Sequence, residues 1–461
     1  MGTFRFRAVV LAACACTAWA ASPDWAKVAP ETLGHFTALV RLDTSNPPGN
    51  ESRAARYLQS VLNKEGIAAT LFAVDPQRAN VIARLKGSGA KKPILLMGHT
   101  DVVGVQREKW TVDPFAALRK DGYVYGRGTQ DDKDHVAANL MVLLLLKRLN
   151  IPLARDVIFL AEAGEEGTTS VGISALVEQK WPEIEAEYAL AEGGSTLWEN
   201  GKVRYVGITT TEKVPRGIRL VAHGQAGHGS RPTPANAVVR LAEAVARVGR
   251  WQPPPRLNAT TRAYFKRLAA VSPPEQAWRY RQIGDPKTAP EIDKYFSRNE
   301  LGHYSMIRTS ISPTLIRAGF RTNVIPSEAE AYLDVRALPD EDIGQLCATL
   351  RKVINDPSID VVPPRQGGRP ASPPSRMDTE MFRALEAAQR RMYPGAVTLP
   401  MMLTGATDMA QLRAKGVQAY GWGPVTRTGE GGAHSDDERI SEAALYQMVE
   451  FLWHAVMGVA Q

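Results

Sequence analysis

PILLMGH at residues 93–99 and DVIFLAEAGEE at residues 156–166 are two short apolar runs, and the longer segment HVAANLMVLLLLKRLN at residues 135–150 lies between them. The short runs have the length and composition of strands buried within a sheet, as does NVIARLKG at residues 80–87. The longer segment predicts a buried helix. Strands and helices alternate in this way up to about residue 210, which predicts an α/β domain with helices on both faces of a mostly parallel sheet.

The sequence changes character after Thr211 and returns to strand and helix alternation near Arg365. Between these points, strand-like runs such as EAEAYLDVRALP flank helical segments such as NAVVRLAEAVARVG, which predicts a smaller α+β unit inserted into the first domain. A Pro- and Arg-rich stretch at 251–304 matches no motif. The predicted boundaries are 21–211 for the first part of the α/β domain, 212–365 for the inserted unit and 366–461 for the second part of the α/β domain.

Composition is that of a folded globular protein. The chain has 461 residues, with 44% hydrophobic and 23% charged residues, which excludes wholesale disorder and a membrane bundle. The formal net charge is +8. The arginines are scattered and form no basic stripe with interleaved aromatics, so we expect no nucleic-acid partner.

The first residues predict an exported protein. MGTFRFRAVVLAACACTAWAA has a short basic start, an apolar segment too short to span a membrane, and small residues around Trp19, so residues 1–20 are predicted to be a cleaved signal peptide. The protein would then be periplasmic or secreted. Processing at Cys14 as a lipoprotein is the alternative. Cys347 is the one cysteine left in the mature chain, which therefore cannot form an internal disulfide.

Acidic and histidine residues stand where predicted strands end. The set comprises His99, Asp101, Asp131, Asp132, Glu165, Glu166, Glu192 and His434. Several carboxylates at one edge of a sheet repel one another unless a cation neutralises them. Two histidines with several carboxylates suit zinc, and the number of donors supports two metal ions. Taken singly, His-x-Asp at a strand end is more often an ordinary turn, a Glu-Glu pair a solvated helix start, and Asp-Asp-Lys a surface charge run.

The order of these motifs resembles a known family. His99-Thr100-Asp101 after a strand, Asp131 in GRGTQDDK before a buried helix, and Glu165-Glu166-Gly167 after another strand are similar to the metallopeptidase family of carboxypeptidase G, aminoacylase, carnosinase-type dipeptidases and succinyl-diaminopimelate desuccinylase. The resemblance runs from about residue 31 to the C-terminus. It implies a mostly parallel-sheet zinc-hydrolase catalytic domain with an inserted α+β lid and dimerisation domain.

The resemblance also implies roles for individual residues. His99, Asp131 and Glu192 would hold one zinc ion, and Asp131, Glu166 and His434 the other. Asp131 would thus bridge two zinc ions per subunit, and cobalt and manganese are left open as substitutes. Asp132 would not be a ligand.

Further roles follow from the same resemblance. Asp101 would orient the His99 ring, and Glu165 would be the general base. His228 would reach into the active site of the partner subunit of a homodimer and stabilise the oxyanion. Asn323, Arg336 and, more weakly, Gly405 would contact substrate. The alternatives are an ordinary loop histidine for His228 and a solvated strand residue for Arg336.

The sequence therefore predicts an exported zinc-dependent hydrolase that cleaves an amide bond adjacent to a free carboxylate, as a carboxypeptidase, dipeptidase or N-acyl-amino-acid hydrolase. Its substrate would be a small peptide or an N-acyl amino acid. One alternative is a non-catalytic zinc- or solute-binding protein that retains the fold. Another is an aminopeptidase of the related single-domain zinc type, which the inserted unit at 212–365 disfavours.

Overall fold

The computed structural model describes residues 22–365, 367–427, 430 and 432–461. The predicted signal peptide and Cys14 lie outside these residues. The helices are α1 Trp25–Val40, α2 Ser52–Lys64, α3 Lys133–Arg148, α4 Ile173–Gln179, α5 Trp181–Ile184, α6 Ala237–Arg250, α7 Ala259–Ala270, α8 Pro274–Gln282, α9 Ala289–Asn299, α10 Leu301–Met306, α11 Ile343–Ile354, α12 Glu380–Met392, α13 Met409–Ala414 and α14 Glu442–Ala460.

The strands are β1 Ser45–Asn46, β2 Ala69–Phe72, β3 Asn80–Leu85, β4 Ile94–His99, β5 Val102–Val103, β6 Leu118–Lys120, β7 Tyr123–Tyr125, β8 Val157–Glu162, β9 Tyr188–Ala191, β10 Ser195–Glu199, β11 Lys202–Glu212, β12 Val214–His223, β13 Gly227–His228, β14 Ser310–Ala318, β15 Val324–Ile325, β16 Glu328–Ala337, β17 Ile359–Val362, β18 Val397–Leu403, β19 Gln418–Gly421, β20 Val425–Arg427 and β21 Arg439–Ser441.

A central sheet of ten strands organises the main body. Its order is β2-β3-β8-β4-β9-β19-β11-β10-β20, and β18 pairs with β11. The four middle strands β8, β4, β9 and β19 run parallel to one another, whereas β3 is antiparallel to β8. Every residue of β4 and β8 is buried, as their unbroken apolar sequences predict. The predicted α/β class with a mostly parallel sheet is confirmed.

Helices cover both faces of this sheet. On one face α3 packs between α1 and α14, and residues 134–146 of α3 are all buried, which explains why this helix is apolar around its whole circumference. On the other face α4, α5 and α13 form a smaller core through side chains such as Leu176, Ile184 and Leu412. Because both faces are covered, function is confined to the edges of the sheet and the loops that leave it.

A second, smaller sheet has the order β14-β16-β12-β17, with all neighbours antiparallel. Residues of β16 alternate between buried and more accessible positions, so one face of the sheet packs and the other does not. Helices α6 and α11 cover the packed face through side chains such as Leu241 and Leu350. This unit lies within the predicted insertion at 212–365.

The helices of the 251–304 stretch belong to a different core. Side chains of α7 to α10, among them Phe265 and Phe296, pack against Leu399 and Met402 of β18. The stretch was predicted as part of the inserted unit, but its apolar contacts extend to the central sheet because β18 presents apolar side chains to it. Within the described residues, no helix has both the length and the apolar character needed to cross a membrane.

Candidate metal centre

The candidate ligands come together because neighbouring parallel strands end at the same edge of the sheet. His99 is the last residue of β4, and Glu192 directly follows β9. Glu165 and Glu166 lie in the loop after β8, which pairs with β4. Asp131 stands two residues before α3 begins, and His434 lies between β20 and β21. Carboxyl ends of parallel strands are where such folds bind ligands.

Asp131 lies between the two histidines. One carboxylate oxygen, Oδ1, is 2.9 Å from His99 Nε2, and the other, Oδ2, is 3.0 Å from His434 Nε2. His434 Nε2 is also 2.8 Å from Glu166 Oε1. The peptide bond between Asp131 and Asp132 is cis. Each oxygen of Asp131 thus faces a different histidine, which is the arrangement that a bridging carboxylate needs.

Two overlapping groups of donor atoms could each hold a metal ion. Ligand atoms of His99, Glu165 and Glu192 lie within 4.8 Å of one another, as do those of His99, Asp131 and Glu166. Imidazole and carboxylate donors suit zinc and other first-row divalent metals. His99 is 1% exposed, whereas the side chain of His434 is 53% exposed, so the donor atoms extend from the buried end of the sheet to its surface.

The electrostatics of the cluster favour a bound cation. Burial, followed by the charges of Asp131 and Glu165, raises the pKa of Glu192 well above its usual range. Hydrogen bonds with Asp131 and Glu166 raise the pKa of His434 to about 10. Neighbouring carboxylates contribute to both shifts, because they disfavour a further negative charge on Glu192 and favour a positive charge on His434. A divalent ion would neutralise these carboxylates, so the residues present fit a metal centre.

The family comparison agrees with this geometry. The model of Peptidase family M20/M25/M40 matches residues 95–458. The chain belongs to this family. It is therefore a hydrolase of the metallopeptidase type, and the resemblance read from the sequence is confirmed. The matched region contains all five candidate metal ligands.

Individual relatives of this M20 protein are distant. Human N-fatty-acyl-amino acid synthase/hydrolase PM20D1 is 29% identical over 383 residues, which cover 80% of this chain and 74% of that protein. The M20 metallo-carboxypeptidase Sso-CP2 of Sulfolobus solfataricus shares the fold with a TM-score of 0.68 at 18% identity, over 93% of this chain and 99% of that one. The dinuclear metal-binding M20 peptidase YXEP of Bacillus subtilis has a TM-score of 0.60 at 16% identity, over 94% and 99%.

Asp101 of the M20 chain holds the loop that contains Glu165 and Glu166, a role that the sequence did not predict. Its carboxylate accepts hydrogen bonds from the backbone N–H groups of Glu165 and Glu166, both at 3.1 Å, and from Asn46 Nδ2 at 2.9 Å. His99 Nδ1 lies 2.9 Å from the backbone carbonyl oxygen of Asp101 and 3.5 Å from its carboxylate. The orientation of the His99 ring by Asp101 stays a prediction, and in this geometry both the carbonyl and the carboxylate of Asp101 face His99 Nδ1.

Asp132 contacts the backbone at the end of β4, next to the candidate ligand His99. Its Oδ2 accepts a hydrogen bond from the backbone N–H of His99 at 3.1 Å, and its Oδ1 lies 2.5 Å from His135 Nδ1. Both side chains are buried. Ligand atoms of Asp132, Asp134 and His135 also lie within 4.8 Å of one another, so the exclusion of Asp132 from the ligand set stays a prediction.

Arg369 is a site residue that the sequence reasoning missed. Its guanidinium is ion-paired with the carboxylate of Glu165, donates to the Glu165 carbonyl at 3.1 Å, and contacts Asp408 Oδ1 at 3.1 Å. Asp408 is itself buried. The short motif Gly367-Gly368-Arg369-Pro370 was the available signal, but only the folded chain brings it to Glu165.

The residues predicted for the lid form a separate group. β13, which ends at His228, pairs with β15, and the N–H of Gly229 donates to the Asn323 carbonyl at 2.8 Å. The ring of His228 accepts a hydrogen bond from the backbone N–H of Ser230 at 3.1 Å. Arg336 contacts Asp334, with Nε 2.9 Å from Oδ1. In the described part of the chain, no hydrogen bond or ion pair joins these residues to the candidate metal ligands.

Gly405, the remaining predicted substrate contact, lies just after β18. A Cβ atom at this position would be 3.8 Å from the side chain of Leu403. Leu403 also packs close to Gly193, which follows Glu192. Gly405 and Gly193 thus both lie beside the side chain of Leu403, and the substrate contact of Gly405 stays a prediction.

Proposed function

We propose that this M20 protein is an exported, zinc-dependent amidohydrolase that cleaves an amide bond next to a free carboxylate. The observation that carries the proposal is the position of Asp131 between His99 and His434, with the Glu165 carboxylate beside the same cluster. Small peptides and N-acyl amino acids are the proposed substrates. Human PM20D1 supports this choice, since its name describes an N-acyl-amino acid hydrolase.

The donor sets divide between two proposed zinc ions. His99, Asp131 and Glu192 would hold one ion, and Asp131, Glu166 and His434 the other. When bound, such ions would polarise the amide carbonyl as Lewis acids and would lower the pKa of the attacking water molecule. Cobalt or manganese could occupy the same donors, because imidazole and carboxylate do not select strongly among these metals.

Glu165 is the proposed general base. Burial, and then the neighbouring Asp408 carboxylate, raise the pKa of Glu165 well above its usual range, which suits a group that must accept a proton near neutral pH. Its carboxylate takes a proton from the attacking water and later donates it to the leaving nitrogen. The Asp101 carboxylate holds the backbone of Glu165 in place during both transfers.

The small sheet is the proposed lid and dimerisation domain. Arg336 and Asn323 would bind the substrate carboxylate, and an arginine fork suits that group. The side chain of His228 is exposed, and its ring contacts Ser230, which leaves the ring accessible for the proposed role in the partner subunit's active site. β14 is an edge strand with exposed apolar residues, Leu315 at 38% and Ile316 at 58%, and Phe320 beyond it is 79% exposed. An apolar edge of this kind is suited to pairing with a second copy.

One assay tests the proposed activity. The mature protein is stripped of metal, reloaded with zinc, and assayed for amino-acid release from dipeptides, longer peptides and N-acyl amino acids. Zinc-dependent release of an amino acid with a free carboxylate is expected. Absence of release from every substrate, with two zinc ions measured per chain, would contradict the proposed substrates and would favour first another amide substrate and second the non-catalytic binding protein.

Export rests on the leader at residues 1–20 and is tested separately. Expression of the full chain in a Gram-negative host, followed by fractionation and N-terminal sequencing, is expected to give a soluble periplasmic protein that begins near residue 21. A membrane fraction labelled by palmitate would instead support processing at Cys14. A cytoplasmic protein with an intact leader would contradict both.

A further inference from the structure

A buried ion pair joins the two segments that supply Asp131 and His434. Arg127 Nη1 lies 2.7 Å from Glu438 Oε2, and the two side chains are 3% and 0% exposed. Arg127 lies between β7 and α3, in the loop that leads to Asp131, whereas Glu438 directly precedes β21 and follows His434 by four residues. Because β7 and β21 pair with each other, the ion pair lies where both segments adjoin these strands.

Glu438 binds the loop that leads to Asp131. Its Oε1 accepts a hydrogen bond from the backbone N–H of Gln130 at 2.7 Å, and its Oε2 accepts one from the backbone N–H of Gly128 at 3.3 Å. Gln130 directly precedes Asp131 in the sequence. The Glu438 carboxylate therefore holds the backbone immediately before the proposed bridging ligand.

Arg127 binds the segment that contains His434. Its Nη1 donates to the carbonyl oxygen of Ser435 at 3.2 Å, and its Nη2 donates to the carbonyl oxygen of His434 at 3.5 Å. The backbone of His434 has a φ of 64°, a left-handed conformation that is unfavourable for residues other than glycine and persists only where the surroundings hold it. Within residues 432–438, all of which the structure describes, Glu438 alone is buried. The ion pair is therefore the buried attachment of this segment.

The His434 ring itself receives little support from packing. Its side chain is 53% exposed, whereas the side chains of Asp131 and Glu166 are 15% and 12% exposed. Because few neighbours restrict an exposed ring, its position is determined mainly by its own backbone. The separation of 3.0 Å between His434 Nε2 and Asp131 Oδ2 therefore depends on how the two segments are joined.

We propose that Arg127 and Glu438 are positioning residues for the proposed metal site that contains both Asp131 and His434, an inference that rests on the proposed function. Neither residue touches the ion or the substrate. Their ion pair holds the two segments so that one ion can bind a carboxylate from the first and an imidazole from the second. The other proposed metal site takes no ligand from residues 432–438, so it depends on the pair much less.

Zinc titration of Glu438→Gln tests the proposal. The amide keeps the size of the side chain but loses the charge opposite Arg127, and its NH₂ group cannot accept a hydrogen bond. Isothermal titration calorimetry of the metal-stripped wild type with zinc is expected to show two sites. In Glu438→Gln we expect one site to keep its affinity and the other to weaken about 10–100-fold. Two sites of wild-type affinity, or equal weakening of both, would overturn the proposal.

Arg127→Lys separates positioning from the stability of the fold, and it decides the question if Glu438→Gln does not fold. A lysine can stay paired with Glu438, but its single ammonium cannot also reach both carbonyl oxygens as the planar guanidinium does. We therefore expect the same selective loss of zinc affinity. Wild-type affinity at both sites of Arg127→Lys would contradict the proposal.

Arg155→Lys is the matched control. Arg155 is also ion-paired and is 1% exposed, but it lies two residues before β8 begins, at the opposite end of that strand from the metal centre. Thermal unfolding of both lysine variants measures the loss of stability that each change causes. Arg155→Lys is expected to keep both zinc sites even where its melting temperature falls as far as that of Arg127→Lys. Loss of the same zinc site in both variants would show a general effect of stability and overturn the proposal.

The zinc dependence of turnover gives a second readout. Because Glu438 does not touch the reacting atoms, kcat of Glu438→Gln should approach that of wild type at saturating zinc. The zinc concentration for half-maximal activity should rise about 10–100-fold. A kcat that stays low with two ions bound would contradict a role limited to positioning the metal site.

Failure of this inference can be distinguished from failure of the proposed function. If wild type binds two zinc ions but hydrolyses no substrate, the proposed function fails, and the titrations of the variants still decide the role of the ion pair. If wild type hydrolyses its substrate and both variants bind two ions with unchanged affinity, only the positioning role fails. If wild type binds no zinc, both proposals are overturned.

Discussion

The Asp101 carboxylate accepts a hydrogen bond from the backbone N–H of Glu165 at 3.1 Å. Because Asp101 follows the strand that ends at His99, this hydrogen bond determines where the proposed base lies relative to that strand. The second oxygen of Asp101 holds Glu166 in the same way. One buried carboxylate therefore links a metal-ligand strand to the loop that supplies both the base and a ligand. This relationship suggests that the separation between Glu165 and the metal centre depends on Asp101.

Glu165→Gln is expected to retain its metal while losing turnover by about 10²–10⁴-fold, because the amide keeps the size of the side chain but cannot accept a proton. Metal content by atomic emission and kcat on the best substrate are the measurements. Activity above a tenth of wild type would show that Glu165 is not the general base.

Asp101→Asn is expected to lower kcat at least tenfold and to destabilise the fold by about 1–3 kcal/mol. The asparagine amide keeps one acceptor oxygen, but its NH₂ group would face the second backbone N–H, which needs an acceptor. Thermal unfolding and kcat are measured together. The control is Asp113→Asn, an exposed carboxylate that accepts the N–H of Phe115 away from the site. Wild-type values for Asp101→Asn would show that the loop is held by other contacts.

His228 can be tested by mixing two inactive proteins. If His228 acts in the partner subunit's site, a heterodimer of Glu165→Gln and His228→Ala chains contains one site with both residues intact. Random reassembly of equal amounts should then recover about a quarter of wild-type activity. The measurement is kcat after denaturation and co-refolding. Recovery no greater than the sum of the separate variants would contradict action across the interface.

Ile316→Glu is expected to produce a monomer, because a charge on the exposed edge strand β14 opposes pairing with a second copy. Loss of activity should accompany the monomer if His228 acts across the interface. Light scattering after size exclusion gives the mass. Val74→Glu, at a site with 52% exposure outside the small sheet, is the control. A dimeric Ile316→Glu protein would place the interface elsewhere.

Lys213 gives a prediction for the pH dependence of stability. The side chain is buried, and its ammonium donates to the hydroxyls of Ser305 at 3.0 Å and Ser310 at 2.8 Å. Burial, and then the charge of Arg308, lower the pKa of Lys213 to about 7. In the unfolded chain a lysine has a pKa near 10.4. Between these values the unfolded state binds a proton that the folded state does not, so stability must rise with pH.

The variant that removes this effect is Lys213→Met. Between about pH 7 and 10, the free energy of unfolding of wild type should rise relative to Lys213→Met, with a slope approaching about 1.4 kcal/mol per pH unit. Below pH 7 the difference should be constant. Denaturant unfolding across this range is the measurement, and a parallel pH dependence of the two proteins would show that Lys213 stays charged in the fold.

Much of the site could be predicted from local sequence. Apolar runs that end in His99, Glu165 and Glu166 are strands followed by polar residues, and parallel strands bring their carboxyl ends to one edge. The α/β class and the ligand candidates therefore follow from order and periodicity along the chain. The family resemblance added the pairing of His434 with these residues, which no local pattern contains.

Contacts between distant segments determined the rest. The ion pair of Arg369 with Glu165 and the packing of the 251–304 helices on β18 join residues that are far apart in sequence. No periodicity encodes such contacts, because they depend on which surfaces meet after the elements have formed. Periodicity reports only which side of each helix or strand is buried. Local order along the chain thus predicts the strands, the helices and the types of ligand, whereas the contacts of Asp101 and Arg369 with Glu165 arise only from packing in three dimensions.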